Sequence, residues 1–283
     1  FSMLIRQRKI KIIKFTWSVI ALLLLLFVIG IWLIPVSWIA VTSFKPRTSI
    51  FTIPPTLVFK PTLKHYVRAL RFLGIVAGIR NSLVIALTTT FITLLVAVPA
   101  GYAYARFRFK FKEQLSFFTL FTQMVPPISL LIPFFVILHK LKMFDTYIGM
   151  ITIHLTLLIP FSIWLMITYF QDLPLELEEA ALIDGASLFT TFIYIMLPQV
   201  AGGIAVAGIL AFITSWNEFL YASILTGNRV QTVPVAIFSF LTTEETLWGP
   251  FAATGTMIMI PVVVVVLIAQ KHIIKGLTFG AIK

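Results

Sequence analysis

Six apolar stretches, each close to the length that crosses a bilayer, constrain this chain more than any other feature. They fall at about 15–42, 81–104, 115–138, 146–170, 199–221 and 251–270, and a spanning helix needs roughly 20 mostly apolar residues. Inside lipid every backbone N–H and C=O must be bonded within the segment, which makes each stretch a helix. Composition agrees. Of the 283 residues 59% are hydrophobic and 11% charged, against about 25% charged in soluble domains. A water-soluble enzyme cannot hide so many apolar side chains or clothe its surface with so few charges. The expectation is an all-α integral membrane protein: a membrane domain over 15–270, a polar segment at 1–14 and a tail at 271–283.

The first stretch follows Arg6, Arg8, Lys9, Lys11 and Lys14, as a signal peptide would. Its apolar part is too long for one, and no small-residue cleavage site follows cleanly, so it reads as a retained helix. Prolines lie inside several stretches, among them Pro99, then Pro126, Pro127 and Pro133, then Pro160. Proline removes a helical hydrogen bond and kinks the chain. Such kinks suit a moving pathway and also occur in static bundles.

The net charge of +12 does not point to nucleic acid, which needs basic residues gathered on one polar face. Lys and Arg lie mainly between the apolar runs, where lipid head groups and orientation signals account for them. Six crossings put both termini on one side. If that side is cytoplasmic it holds twelve of the 22 Lys and Arg, a weak bias, and the clusters flanking the first two helices favour this orientation. With no Cys there is no disulfide framework, thiolate nucleophile or Cys-based metal site. The four histidines do not form a metal-ligand spacing.

Between the fourth and fifth stretches, over 172–198, the chain changes character. Asp172, Glu176, Glu178, Glu179 and Asp184 are half of its 10 acidic residues. Asp172 and Pro174 suit a helix start, and the glutamates place negative charge at its positive end. A short helix over 175–183 follows, ended by a left-handed turn at Gly185. Ser187 then caps a second helix over 188–197, which Pro198 terminates. The product is a helix–turn–helix knuckle with small residues at its bend. It is either a docking element for a partner or an interfacial linker kept wet by its acids.

The run Glu179-Ala180-Ala181, then Gly185, then Ile195-x-Leu197-Pro198 resembles the EAA loop of permease subunits in bacterial and archaeal ABC importers. Its surroundings, Leu177-Glu178-Glu179-Ala180-Ala181-Leu182-Ile183-Asp184-Gly185-Ala186, look like the carbohydrate branch of that family. So does the ending Gly276-Leu277-Thr278-x-Gly280-Ala281-x-Lys283. Asn81-Ser82, Ala100-x-Tyr102-Ala103-x-Ala105-Arg106 and Trp248-Gly249-Pro250-Phe251-Ala252-Ala253 match as well.

The resemblance implies the type I ABC importer permease fold, with a multi-pass subunit in the plasma (inner) membrane and both termini cytoplasmic. A second permease subunit would complete the path, two ATPase subunits would bind ATP and Mg, and an extracellular or periplasmic solute-binding protein would deliver a carbohydrate. This chain has no Gly-rich phosphate loop, so it is expected to transmit force and to hold no cofactor. The ATPase-coupling residues implied are Glu178, Glu179, Ala180, Ala181, Asp184, Gly185, Ala186, Leu197 and Pro198, with Glu179 pairing to a basic group. A second coupling segment is implied at Lys275, Gly276, Leu277, Gly280 and Lys283, with a basic membrane-edge stop as the less favoured alternative.

Polar residues within the stretches are sparse, and an ionisable one is a functional candidate by default. Glu218 is such a residue, flanked by Trp216, Asn217 and Tyr221. Trp216 or Tyr221 can stack on a sugar and Asn217 can bond a hydroxyl. Equally, Glu218 can mark a helix end, with Trp216 anchored at the interface. Gln123 belongs to the same candidate path. His154 either lines that path or is a packed, hydrogen-bonded histidine. An intramembrane enzyme would need convergent catalytic groups, and none is evident. A passive channel gives no reason for the knuckle. The remaining rival is the same fold importing phosphate, a polyamine or an amino acid.

Overall fold

The computed structural model describes residues 2–241 and 246–279, with side chains over 16–270 apart from 73 and 269. Thirteen α-helices follow in order among the described residues: α1 (Ser2–Phe44), α2 (Lys64–Arg71), α3 (Leu73–Arg106), α4 (Lys112–Phe121), α5 (Pro127–Lys140), α6 (Tyr147–Gln171), α7 (Glu176–Ile183), α8 (Leu188–Thr191), α9 (Leu197–Gln199), α10 (Ala201–Trp216), α11 (Leu220–Leu225), α12 (Val233–Ala236) and α13 (Trp248–Phe279).

Four spans are continuous: Thr16–Phe44, Gly74–Arg106, Tyr147–Gln171 and Trp248–Ile268. They are the first, second, fourth and sixth crossings read from the sequence, with ends shifted by several residues. The third and fifth are not single helices. Lys112–Met124 meets Pro127–Lys140 at 96°, and Leu188–Gln199 meets Ala201–Trp216 at 73°. Counting each bent pair as one span gives six.

The 96° bend has a local cause. A residue before proline is pushed out of the α region, and Val125 (ψ 122) and Pro126 (ψ 128), each preceding a proline, are both extended. Pro127 then opens α5 at a first-turn position, where its missing N–H costs nothing. Gln123 Nε2 straps the bend to the Leu157 carbonyl of α6 at 3.0 Å. The fifth crossing departs from the expected 199–221 because Trp216 ends α10 and Asn217 closes it. A short break follows before α11.

The centre of the bundle is α3 against α6, the most extensive helix pairing among the described residues, with α10 and α12 laid on α3. A Cβ on Gly101 would run into Met166 of α6, so these helices approach closely near the C-terminal end of α3. By contrast the Thr16–Phe44 part of α1 carries no charged residue, and the most apolar window of that span has no residue buried. An all-apolar, unpacked helix fits lipid or a membrane partner, not water. Inside the chain it leans chiefly on α13.

Candidate coupling site

The acidic segment folds as a knuckle at the end of the bundle where α3 finishes and α6 hands over. Asp172 closes α6 instead of capping the next helix, and α7 begins after Leu175 with no side-chain cap. Glu176, Glu178 and Glu179 occupy its first turn, where negative charge faces the positive helix end. α7 closes as the sequence predicts. Gly185 has φ +86, its N–H bonds the Leu182 carbonyl at 3.1 Å, and the Ala186 N–H bonds Ala181 at 3.0 Å. This paired arrangement needs a left-handed residue, which glycine adopts without strain. Ser187 caps α8 by accepting the Thr190 N–H at 3.1 Å.

The second knuckle helix differs from expectation. It runs α8, then a π-helical turn over Phe192–Met196, then α9. Pro198 sits in the first turn of α9 and does not end the helix; the chain stays helical to Gln199 and bends after it.

Two adjacent glutamates have opposite fates. Glu179 is exposed, with Ala180, Asp184 and Gly185 beside it. Glu178 points inward and is 8% exposed. Its Oε1 accepts the Tyr102 hydroxyl at 2.7 Å, and its Oε2 lies 3.1 Å from Arg106 Nε. Those two atoms are paired by charge, without hydrogen-bond alignment. Arg106 Nη2 also donates to the Leu173 carbonyl at 2.9 Å. Around Tyr102 stand Phe192, Phe170 and Phe107, with centroids at 4.8, 5.3 and 5.7 Å. Glu178 therefore cannot pair with a partner as its grouping with Glu179 implied; it fastens the knuckle to α3. Ala181 is buried beneath it, Leu197 and Ala186 are half-buried, and Pro198 is exposed. Ile183 (85% exposed), one turn from Glu179 on α7, is uncovered, and so are Phe189 and Tyr194 on the second knuckle helix.

Residues 97–279, which begin just before Tyr102 and include the whole knuckle, match the family described as binding-protein-dependent transport system inner membrane component. The chain belongs to that family. This permease is 37% identical over 273 residues to the trehalose transport system permease protein SugB of Mycobacterium tuberculosis, covering 94% of this chain and 97% of the relative. It is 36% identical over 255 residues to the trehalose/maltose transport system permease protein MalG of Thermococcus litoralis, covering 89% and 91%. Its fold is similar to a chain of a bacterial ABC transporter crystal structure, one involved in import of the acidic polysaccharide alginate. That match has a TM-score of 0.73 at 22% identity and covers 90% of this chain and 95% of the other. The fold is that of a type I ABC importer permease, and the chain is a transport component, not an enzyme. Among the described residues no group of three His, Asp or Glu could hold a metal ion.

The candidate path residues of the permease do not converge on an open surface. Trp216 and Tyr221 are each 1% exposed. Trp216 Nε1 donates to the Ile258 carbonyl at 3.2 Å and its ring stacks on Phe212. The Tyr221 hydroxyl donates to the Pro127 carbonyl at 2.9 Å. Neither ring is available to stack on a sugar. Glu218 caps α11, accepting the Tyr221 N–H at 2.7 Å and the Ala222 N–H at 3.0 Å. His154 is buried beside it, with Nε2 3.7 Å from Glu218 and Nδ1 2.7 Å from Ser215 Oγ, as a packed, bonded histidine would be. Asn217 and Gln123 remain exposed. In the tail, Lys275, Gly276 and Leu277 fall on α13 where side chains are outside the described residues, and Gly280 and Lys283 lie outside them altogether.

Sequence reasoning gave no role to Tyr102, Arg106, Asn81 or Ser82, although all four stood in family-matching runs. It missed Asp145 entirely. Asp145 receives the N–H groups of Arg229 and Val230 at 3.1 and 3.0 Å across 84 and 85 residues of chain, and no local pattern announces such a contact.

Proposed function

We propose that this permease, with a second permease subunit, forms the translocation path of an ATP-driven sugar importer and couples that path to two ATPase subunits through the 172–198 knuckle. Both termini and the knuckle then face the cytoplasm, and an extracellular or periplasmic binding protein delivers a sugar, oligosaccharide or polyol at the far end. ATP and Mg2+ are bound on the ATPase subunits. Closure of the ATPase pair moves the knuckle, and the bundle turns its path outward.

The observation that carries this reading is the split between Glu178 and Glu179. One glutamate ties α7 to α3 from within, and the other stands exposed on the same helix, one turn from exposed Ile183. A linker needing only to stay wet has no use for a buried ion pair. Relatives that bear trehalose and maltose transport names over nearly the whole length support a sugar as cargo. The burial of Trp216 and Tyr221 supports cargo contacts lying on other residues or on the partner permease.

The test is the purified complex with Glu179→Lys. Insertion of the permease is expected to be unchanged, while ATPase subunits dissociate or hydrolyse ATP without importing labelled trehalose or maltose. Import at the wild-type rate would remove Glu179 from the coupling role.

A further inference from the structure

We propose that α3 and α6 act as one lever that carries knuckle movement to the 226–232 loop at the far end of the bundle, with Asn81 and Ser82 as the positioning residues that fasten that loop to it. The inference rests on the coupling role proposed above. It uses contacts that the role itself does not require.

The two helices are cross-tied at both ends. At the knuckle end Arg106 of α3 bonds the Leu173 carbonyl just beyond α6. At the far end the Tyr147 hydroxyl of α6 donates to Asn81 Oδ1 of α3 at 2.6 Å. The ties are 25 residues apart on α3, roughly 37 Å of helix at 1.5 Å per residue. The knuckle is joined to this pair by Glu178, and the loop by a matching polar clamp.

Asn81 Nδ2 donates to the carbonyls of Gln231 at 2.9 Å and Arg229 at 3.2 Å. Ser82 Oγ accepts the Val233 N–H at 2.9 Å. Both side chains are buried, at 1% and 3% exposure. One turn away, a Cβ on Gly78 would press on the Val233 backbone, so the loop's exit lies directly on α3. Buried, bonded groups hold one geometry, because breaking one of these bonds leaves a polar atom unpaired.

The direct route along the chain is softer. From α7 to α10 it passes the π-helical turn at Phe192–Met196 and the 73° bend, and π turns interrupt the regular bonding ladder of a helix. Displacement of the knuckle therefore reaches the far end through α3 and α6 rather than through the bend.

The chain has no Cys, so a single cysteine at exposed Asn228 can carry an environment-sensitive fluorophore in the assembled complex. A non-hydrolysable ATP analogue is expected to change its emission. In Asn81→Ala/Ser82→Ala the change falls at least fivefold and import at least tenfold, while ATP hydrolysis stays within twofold. In Gln199→Gly, which loosens the bend, the emission change stays within twofold of wild type. A full response in the double variant, or its loss in Gln199→Gly, overturns the lever. If the double variant does not assemble, Ser82→Ala alone is read the same way, with an expected threefold loss. A wild-type complex that imports nothing with ATP sinks the coupling role as well; one that imports while both variants keep the response sinks the lever alone.

Discussion

Arg106 Nε lies 3.1 Å from Glu178 Oε2, joining the last turn of α3 to the first turn of the knuckle where the two side chains are 6% and 11% exposed. Desolvation offsets much of the attraction in such a pair, so its net stabilisation is small. Removing one partner is different, because the other charge stays buried. Arg106→Ala is expected to cost about 3–5 kcal/mol, read as a lower thermal midpoint of the detergent-solubilised permease. Arg106→Met combined with Glu178→Leu should recover most of that loss. It should not recover import, because the knuckle's orientation would no longer be fixed by a directional contact.

Tyr102→Phe removes one hydrogen bond to a charged group, a contribution of about 1.5–3 kcal/mol, and keeps the ring among Phe107, Phe170 and Phe192. The thermal midpoint should fall less than in Arg106→Ala. A larger fall would mean that losing the hydroxyl also disturbs the packing of the ring.

Gly185→Ala meets no steric neighbour and fails on backbone conformation alone, since φ +86 costs an L-residue about 1–2 kcal/mol. Binding of ATPase subunits to the permease should weaken by roughly 5–30-fold. Gly185→Asn, which tolerates the left-handed region better, should weaken it less. Titration of ATPase subunits onto immobilised permease reads both.

Trp216→Ala is expected to act on stability and not on cargo. Its ring is enclosed by Phe212 and the α13 backbone, and truncating a buried Trp costs about 3–5 kcal/mol. Partial rescue at low temperature should give import with an unchanged KM. A raised KM with an unshifted thermal midpoint would return Trp216 to the substrate path.

The membrane class was legible because it follows from segment length and hydropathy, which require no knowledge of packing. The Gly185 turn and the Ser187 cap were legible because each is a local backbone need met by one residue type. The prolines of the third crossing marked a kink, but hydropathy averages over a break and showed neither Val125 and Pro126 turning fully extended nor the end of α10 at Trp216 in the fifth. Glu179 was singled out by its motif, but the inward role of Glu178 was not legible, since adjacent helical positions differ only in which face meets the rest of the protein. Trp216 and Tyr221 were candidates by residue type, and tertiary packing decided against them.

The most direct measurement places a single cysteine at Ile183, on the exposed face of the knuckle, in the otherwise cysteine-free chain. A membrane-impermeant maleimide should label it in inside-out vesicles stripped of ATPase and not in right-side-out vesicles, and a short crosslinker should join it to the ATPase subunit in the assembled complex. Labelling from the outer face, or crosslinks to lipid alone, would contradict the account.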